Sequence, residues 1–206
     1  MHVGGPCKPV VKAGDKVKRG QLIAEPSGLG ANIHASFTGE ISAVTDGEIV
    51  IKPDDVQNFD EYVKIPDTKT NLEAIAAAGV VGAGGAGFPT AVKLKTEIPN
   101  GAFIANAAEC EPLLAHNIHQ IEEHAAELVR GVKYAMEITK APKGYIAIKP
   151  KHKKAVIELI KAVRNEDNID VFRLPDMPQM YEMPSENGIE FQTCRSGGKG
   201  GQHVNK

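Results

Sequence analysis

A glycine-rich stretch with the residue types of an anion-binding loop precedes a predicted helix. Its members are Gly82, Gly84, Gly85, Gly87 and Phe88. Glycines let backbone amides approach a ligand closely, and Pro89 suits the first turn of the helix that follows. A helix N-terminus carries partial positive charge, and Lys93 adds a mobile cation one turn later. The pattern predicts a site for an anionic, phosphorylated cofactor. The alternative interpretation is a tight connecting turn, which would need the same small residues for close packing.

A second polar group, Asn106, Glu109 and Glu111, follows the apolar segment 102–105, which predicts a buried strand. Carboxylates do not bind phosphate, but they accept hydrogen bonds from ribityl or ribose hydroxyls. Ligands of parallel sheets bind at the carboxyl ends of the strands, where these three side chains would stand. Together the two groups predict a nucleotide cofactor site. Each glutamate alone would be interpreted as a solvated loop carboxylate.

The order of elements around these groups predicts an α/β domain over residues 71–177. Asn71 is predicted to cap a short helix that ends at Gly79. Beyond the glycine-rich stretch, apolar segments predict strands and residues at three- and four-residue spacing predict amphipathic helices. The strands are 102–105, 145–148 and 171–174, and the helices cover 118–136 and 155–163. This alternation predicts a Rossmann-like domain with helices packed on a parallel sheet.

Residues 1–53 predict a different fold, because short apolar segments alternate with Gly-Asp and Asp-Gly turns. This pattern is typical of a small all-β module without a helix. The polar segment 54–70 is predicted to be a linker across the surface. Residues 178–206 form the last predicted segment, a linker and a glycine-rich tail.

Composition narrows the class of protein. The chain has 206 residues and a formal net charge of −2, which offers no general attraction to nucleic acid or anionic membranes. We find no membrane-spanning run or signal peptide and therefore expect a cytoplasmic protein. Cys7, Cys110 and Cys194 lie far apart, which predicts free thiols and no iron–sulfur cluster. The histidines near the start of the long helix lack a further ligand in register, so no metal site is predicted.

Two motifs identify a family. Residues 79–94, G-V-V-G-A-G-G-A-G-F-P-T-A-V-K-L, and residues 106–112, N-A-A-E-C-E-P, resemble the C subunit of the Rnf electron-transport complex. They also resemble the electron-transfer protein associated with proline reductase, and both proteins are similar to the NADH-oxidising flavoprotein subunit of Complex I. The match extends over residues 1 to about 180. Within it, V-K-A-G-D-K-V-K-R-G-Q-L-I-A-E resembles the barrel-sandwich hammerhead of lipoyl carrier domains, although N-I-H-A-S replaces the segment with the carrier lysine.

The resemblance implies an electron-transfer flavoprotein subunit that binds FMN and oxidises NADH by hydride transfer to the flavin. The glycines would lie against FMN and Phe88 near the nicotinamide. Lys93 and Asn106 would contact the flavin, and Glu109 and Glu111 would help to hold FMN and receive NADH. The implied partners are other electron-transfer subunits, which could place the protein at the cytoplasmic face of a membrane without insertion.

This sequence departs from the family pattern in three respects. Complex I has arginine at the position of Ala83 and aspartate at that of Ala108. Family members also continue with further flavin-site segments and a ferredoxin-like cysteine cluster, neither of which this sequence contains. An alternative interpretation is therefore a non-catalytic assembly module.

The last residues resemble a second family. Residues 191–206, F-Q-T-C-R-S-G-G-K-G-G-Q-H-V-N-K, resemble the peptidyl-tRNA hydrolysis loop of peptide chain release factors. In that family Gln202 would help to place a hydrolytic water, and the ribosome and tRNA would be the partners. The alternative, which we favour, is a disordered tail left by truncation or gene joining.

Overall fold

The computed structural model describes residues 3–82, 86–109 and 115–174. The chain forms two compact units, and the sequence boundary between them falls between Lys95 and Thr96. The predicted tail, 178–206, lies outside the described residues. The predicted domain limits stay a prediction.

The first unit begins with two antiparallel sheets of three strands each. The strands are β1 (Cys7–Pro9), β2 (Lys16–Val17), β3 (Leu22–Pro26), β4 (Ile33–His34), β5 (Gly39–Val44) and β6 (Ile49–Pro53). Their order is β1-β3-β4 in one sheet and β2-β5-β6 in the other. The core contains the buried side chains of Val17, Ile23, Ala35 and Ile41. Residues 3–53 contain strands and no helix, which confirms the predicted small β module.

The segment that follows, 54–70, contains no helix or strand and is held to the β module by hydrogen bonds. Val63 N–H donates to the carbonyl of Arg19 at 2.8 Å, and the Gln57 amide donates to the carbonyl of Thr38 at 2.8 Å. The Arg19 guanidinium also lies over the ring of Phe59, 5.4 Å from its centroid. The segment is therefore anchored along the surface at several points.

Helix α1 (Asn71–Ala77) begins with a capping box. Thr70 has extended backbone, and its hydroxyl accepts from Glu73 N–H at 3.2 Å. The Glu73 carboxylate accepts from Thr70 N–H, also at 3.2 Å. The prediction that Asn71 caps this helix is wrong, because the glutamate that completes the box stands three residues after Thr70.

A helix of four residues, α2 (Thr90–Lys93), follows the glycine-rich stretch. Pro89 is its N-cap, with φ −58° and ψ 120°, and so stands just before the first turn, in which the sequence analysis placed it. Its backbone pairs with Val81 in an isolated antiparallel bridge, which holds its ψ in the extended range. Helix α2 therefore begins at Thr90.

The second unit is a parallel sheet with two helices. Its elements are β7 (Ala102–Asn106), α3 (His116–Thr139), β8 (Lys143–Ile148), α4 (Lys153–Val163) and β9 (Ile169–Arg173). The sheet order is β7-β8-β9, with every pair parallel, which confirms the predicted parallel sheet. The two connections contain α3 and α4, whose apolar faces pack with the sheet in one core.

The long helix α3 has the predicted apolar face. Its buried residues are Ile118, Ile121, Ala125, Val129, Val132, Ala135, Met136 and Thr139. Leu128, predicted on this face, is partly buried against the same core. Within residues 3–82, 86–109 and 115–174, no helix combines the length and apolar character needed to cross a bilayer.

Candidate functional site

In the first unit, backbone hydrogen bonds join the two ends of the predicted glycine-rich loop. Gly82 N–H donates to the carbonyl of Phe88 at 2.9 Å, and Thr90 N–H donates to the carbonyl of Val80 at 2.9 Å. Gly87 is buried with φ 61°, a left-handed conformation that glycine adopts without steric cost. Gly84 and Gly85 lie outside the described residues. The structure thus brings the ends of the predicted loop together at Gly82 and Phe88.

Lys93 provides a cation beside this loop. It is the last residue of α2 and is exposed, with Nζ 5.9 Å from the centroid of the Phe88 ring. At this distance a lysine interacts weakly with an aromatic face and keeps its donors available to solvent or an anion. Two predicted cofactor residues of the first unit are therefore neighbours.

The chain enters the loop through a close contact at Gly79. Gly79 has φ 66°, and a Cβ atom there would lie 2.1 Å from the carbonyl oxygen of Asn32. The Asn32 side chain donates to the carbonyl of Ala77 at 3.2 Å. These contacts hold the end of α1 against the β module and fix where the loop begins.

The second unit contains the other predicted group. Asn106 is the last residue of β7, and its Oδ1 accepts from Ala108 N–H at 3.0 Å, which turns the chain at the carboxyl end of the strand. Glu109 follows and is half-buried. Both residues line a cavity of about 370 Å³, which lies within the size range of small-molecule sites. Glu111 lies outside the described residues.

Helix α3 supplies polar side chains to the same cavity, and the sequence analysis considered only His124 among them, as one of the histidines weighed for a metal site. Asn117, Gln120, His124 and Glu127 line it at spacings of three and four residues. This spacing places them on one face of the helix, and it was a readable signal in the sequence. His124 has non-helical φ −130° and ψ 34°, so α3 is kinked at the cavity wall. Its Nδ1 is 3.7 Å from a Glu127 oxygen.

One residue of this polar face contacts a predicted cofactor residue directly. The Asn117 Nδ2 donates to Oε2 of Glu109 at 2.9 Å. Asn117 lies in the first turn of α3, whereas Glu109 lies in the loop after β7. The hydrogen bond therefore joins the strand end to the helix that follows it.

A charged loop follows β8 at the same edge of the sheet. Burial lowers the pKa of His152 from its ordinary value of 6.5, Lys151 and Lys149 lower it further, and Glu109 and Glu122 oppose them. The Nε2 atom of His152 is buried and has no hydrogen-bond partner in the part of the chain that the structure describes. Nearby, Lys154 pairs with Glu122 at 3.0 Å, which connects α4 to α3. The carboxyl edge of the sheet therefore carries both positively and negatively charged side chains.

These groups define what each unit can bind. The loop and Lys93 of the first unit offer donors suited to phosphate or a carbonyl oxygen. The amides and carboxylates of the second unit suit hydroxyl and amide groups. Among the described residues, no group of three or more histidine, cysteine, aspartate and glutamate side chains could hold a metal ion.

Two family models match the chain. Residues 75–188 match the Nuo51 FMN-binding domain, and residues 1–59 match the RnfC barrel sandwich hybrid domain. The first match covers the glycine-rich loop, Lys93 and the residues that line the cavity. The second covers all six strands of the β module, which confirms a barrel-sandwich fold there.

Curated relatives agree with these matches. The C subunit of the Na⁺-translocating ferredoxin:NAD⁺ oxidoreductase complex of Acetobacterium woodii is 35% identical over 194 residues, 84% of this chain and 43% of the relative. The C subunit of the proton-translocating ferredoxin:NAD⁺ oxidoreductase complex of Clostridium ljungdahlii is 35% identical over 220 residues, 96% of this chain and 47% of the relative. Cobalamin reductase PduS of Salmonella typhimurium is 48% identical over 105 residues, 51% of this chain and 22% of the relative.

The chain spans about half the length, 43% and 47%, of the two ferredoxin:NAD⁺ oxidoreductase relatives. Neither the family models nor these relatives support the resemblance of residues 188–206 to release factors. Gln202 itself lies outside the described residues. With a match over more than half of its residues, the chain belongs to the family of the Nuo51 FMN-binding domain, and an RnfC barrel sandwich hybrid domain precedes that match.

Proposed function

We propose that this chain is the FMN-binding part of an electron-transfer flavoprotein subunit that oxidises NADH. The observation that carries the proposal is the match of residues 75–188 to the Nuo51 FMN-binding domain. The names of two relatives, ferredoxin:NAD⁺ oxidoreductase complexes, support a dinucleotide substrate and a multi-subunit assembly. We take the parallel sheet to belong to a Rossmann-like domain, which extends over residues 71–177.

The described residues fit FMN in the type of donor and acceptor that each unit provides. In the first unit, Gly87 and Lys93 would hold the phosphate and a flavin oxygen through N–H donors, with Phe88 beside the rings. Gly82, whose N–H already donates to the carbonyl of Phe88, would let the loop backbone approach the ligand closely. Gly84 and Gly85 would extend this loop. The close backbone approach that glycines allow is what a bulky planar ligand requires.

In the second unit, Asn106 and Glu109 line a cavity with the polar groups that ribityl and ribose hydroxyls require. Asn106 would donate to a flavin oxygen through its side-chain N–H, because its Oδ1 already accepts from Ala108. Glu109 would accept from ligand hydroxyls. Glu111 is assigned the same role from the motif alone.

Bound FMN would supply the redox chemistry, taking a hydride from NADH, which leaves as NAD⁺, and a proton from solvent to become the reduced flavin. The protein's contribution is binding and orientation. Lys93 would offset the negative charge of the ligand, and the loop amides would fix its position. The electrons would then pass to a partner subunit.

The proposed partners are the other subunits of an ion-translocating complex of the kind named for the relatives. We propose a peripheral position at the cytoplasmic face of a membrane, reached through those partners.

Titration with FMN tests the proposal. The purified chain should quench flavin fluorescence at a stoichiometry of one, and anaerobic NADH should then bleach the visible absorbance of the complex. Lys93→Ala should weaken FMN binding about tenfold, because a charge-assisted contact is lost. The matched control Lys95→Ala removes another exposed lysine of the same unit and should bind normally.

Two results would overturn parts of the proposal. A folded chain that takes up no FMN would instead favour the assembly-module interpretation. A chain that binds FMN but shows no bleaching with NADH would retain the flavin assignment and exclude NADH as the reductant.

A further inference from the structure

We propose that Asn117 is a positioning residue that orients the Glu109 carboxylate toward the bound cofactors, an inference that rests on the proposed function. Asn117 lies outside the two motifs that identify the family, because the second motif ends at residue 112. Its Nδ2 lies 2.9 Å from Oε2 of Glu109. Both residues line the same cavity.

The helix holds Asn117 in place through its neighbours. Ile118 and Ile121 of the same helix are buried in the core that α3 shares with the sheet, at 5% and 7% exposure. Because these anchors fix the rotation of α3, the Asn117 side chain is directed away from the core, where it is exposed and reaches the loop after β7. The donor is therefore fixed by packing, although it lies at the surface.

The chemistry of an amide suits this role. An asparagine donor restricts the rotamers of a carboxylate and leaves its charge unchanged, whereas a lysine there would neutralise it. Glu109 must remain an acceptor to bind ligand hydroxyls. A neutral donor from the adjacent helix meets both requirements.

Asn117 differs from the other polar residues of the cavity wall. Gln120, His124 and Glu127 also line the cavity, but within the described residues Asn117 is the one that hydrogen-bonds to a predicted cofactor residue. Its partner lies eight positions earlier, in the loop after β7. This arrangement links the position of the strand-end loop to that of α3.

The isosteric substitution Asn117→Asp tests the inference. At about pH 8 two carboxylates would face each other across the former hydrogen bond, and Glu109 would be turned away by repulsion. FMN affinity should fall about three- to tenfold relative to the unsubstituted chain. At about pH 4, close to the ordinary pKa of carboxyl side chains, the pair would share a proton and regain a hydrogen bond, so the ratio of affinities should return toward one. Asn117→Ala should show a similar loss that does not depend on pH.

The matched control is Asn58→Asp. Asn58 Nδ2 donates to Oε1 of Glu61 at 3.0 Å, the same type of contact on the exposed segment 54–70. This variant should bind FMN as the unsubstituted chain does at both pH values. Thermal unfolding of each variant checks that the fold is retained.

The outcomes separate this inference from the proposed function. If the unsubstituted chain binds FMN and Asn117→Asp binds it equally well at about pH 8, Asn117 does not position Glu109. A loss in Asn117→Asp that persists unchanged at about pH 4 would also overturn the inference. If the unsubstituted chain binds no FMN, the proposed function fails first and the positioning role fails with it.

Discussion

Replacing Gly79 by alanine tests whether the contact between α1 and the β module sets the start of the glycine-rich loop. The substitution has two separate costs. Gly79 has φ 66°, and its new Cβ would lie 2.1 Å from the backbone oxygen of Asn32. A left-handed conformation costs a residue with a side chain about 1–2 kcal/mol. The overlap should cost about 1–3 kcal/mol more, because a backbone carbonyl cannot rotate away.

Together these costs predict that Gly79→Ala lowers the free energy of unfolding of the first unit by about 2–5 kcal/mol. Since small domains are stable by only about 5–15 kcal/mol, this loss is a large fraction of the total. The displaced chain would also move Val80, whose carbonyl accepts from Thr90 at the base of the loop. We therefore expect weaker FMN binding in the same variant.

Three other glycines separate the two costs. Gly14→Ala has the positive φ of 88° without a close contact, and Gly39→Ala has a contact of 2.2 Å with the Lys52 carbonyl without a positive φ. Gly47→Ala has neither feature. Urea unfolding, followed through amide signals of the first unit, should show losses of about 1–2, 1–3 and under 0.5 kcal/mol respectively.

The result that would refute the reasoning is a Gly79→Ala chain as stable as Gly47→Ala. A loss equal to that of Gly14→Ala would refute only the overlap with Asn32. In that case the β module and α1 could separate slightly without disturbing their hydrogen bonds.

Two further predictions concern the helix cap and the partly buried imidazole of His152. Thr70→Ala should lower the free energy of unfolding, measured in urea, by about 1 kcal/mol, because Glu73 N–H loses its acceptor. Thr70→Ser should retain the cap and the stability. Equal losses in the two variants would contradict this role of the Thr70 hydroxyl. Because burial lowers the pKa of His152, its neutral form stabilises the fold above the unfolded pKa of 6.5. That stability should disappear as pH falls through 6.5 toward the pKa of His152 in the folded chain. The free energy of unfolding of His152→Gln should therefore decline less steeply over this pH range. Parallel declines in the two chains would exclude His152 as the origin of the pH dependence.

The sequence was sufficient for most of the regular elements. Alternating strands and amphipathic helices predicted β7, β8 and β9 in one parallel sheet, and the observed strands differ from the predicted segments by at most two residues at either end. Periodicity is a local property that follows from which side chains face a core, so it can be read before the core is known. The cap of α1 was misplaced by one residue, because Thr70 and Asn71 are both suitable cap residues and the capping-box spacing of Thr70 and Glu73 was not used.

The candidate site, too, was predictable from the sequence only in part. The residue types that suit FMN, from Gly82 to Glu109, were recognisable as motifs, because a motif lies within one loop. The role assigned to Asn117 was not, because its contact with Glu109 depends on how α3 is rotated on the sheet. That rotation is set by buried residues such as Ile118 and Ile121.

What the sequence by itself determined is therefore local: the order of elements, the small β module, the parallel sheet and the family of the chain. Only the tertiary structure decided which distant groups meet, such as Gly79 with Asn32, Arg19 with Val63, and Glu109 with Asn117. The physical reason is that backbone preference and hydrophobic period act over a few neighbouring residues. A specific contact between separate elements depends on the packing of the whole core around them.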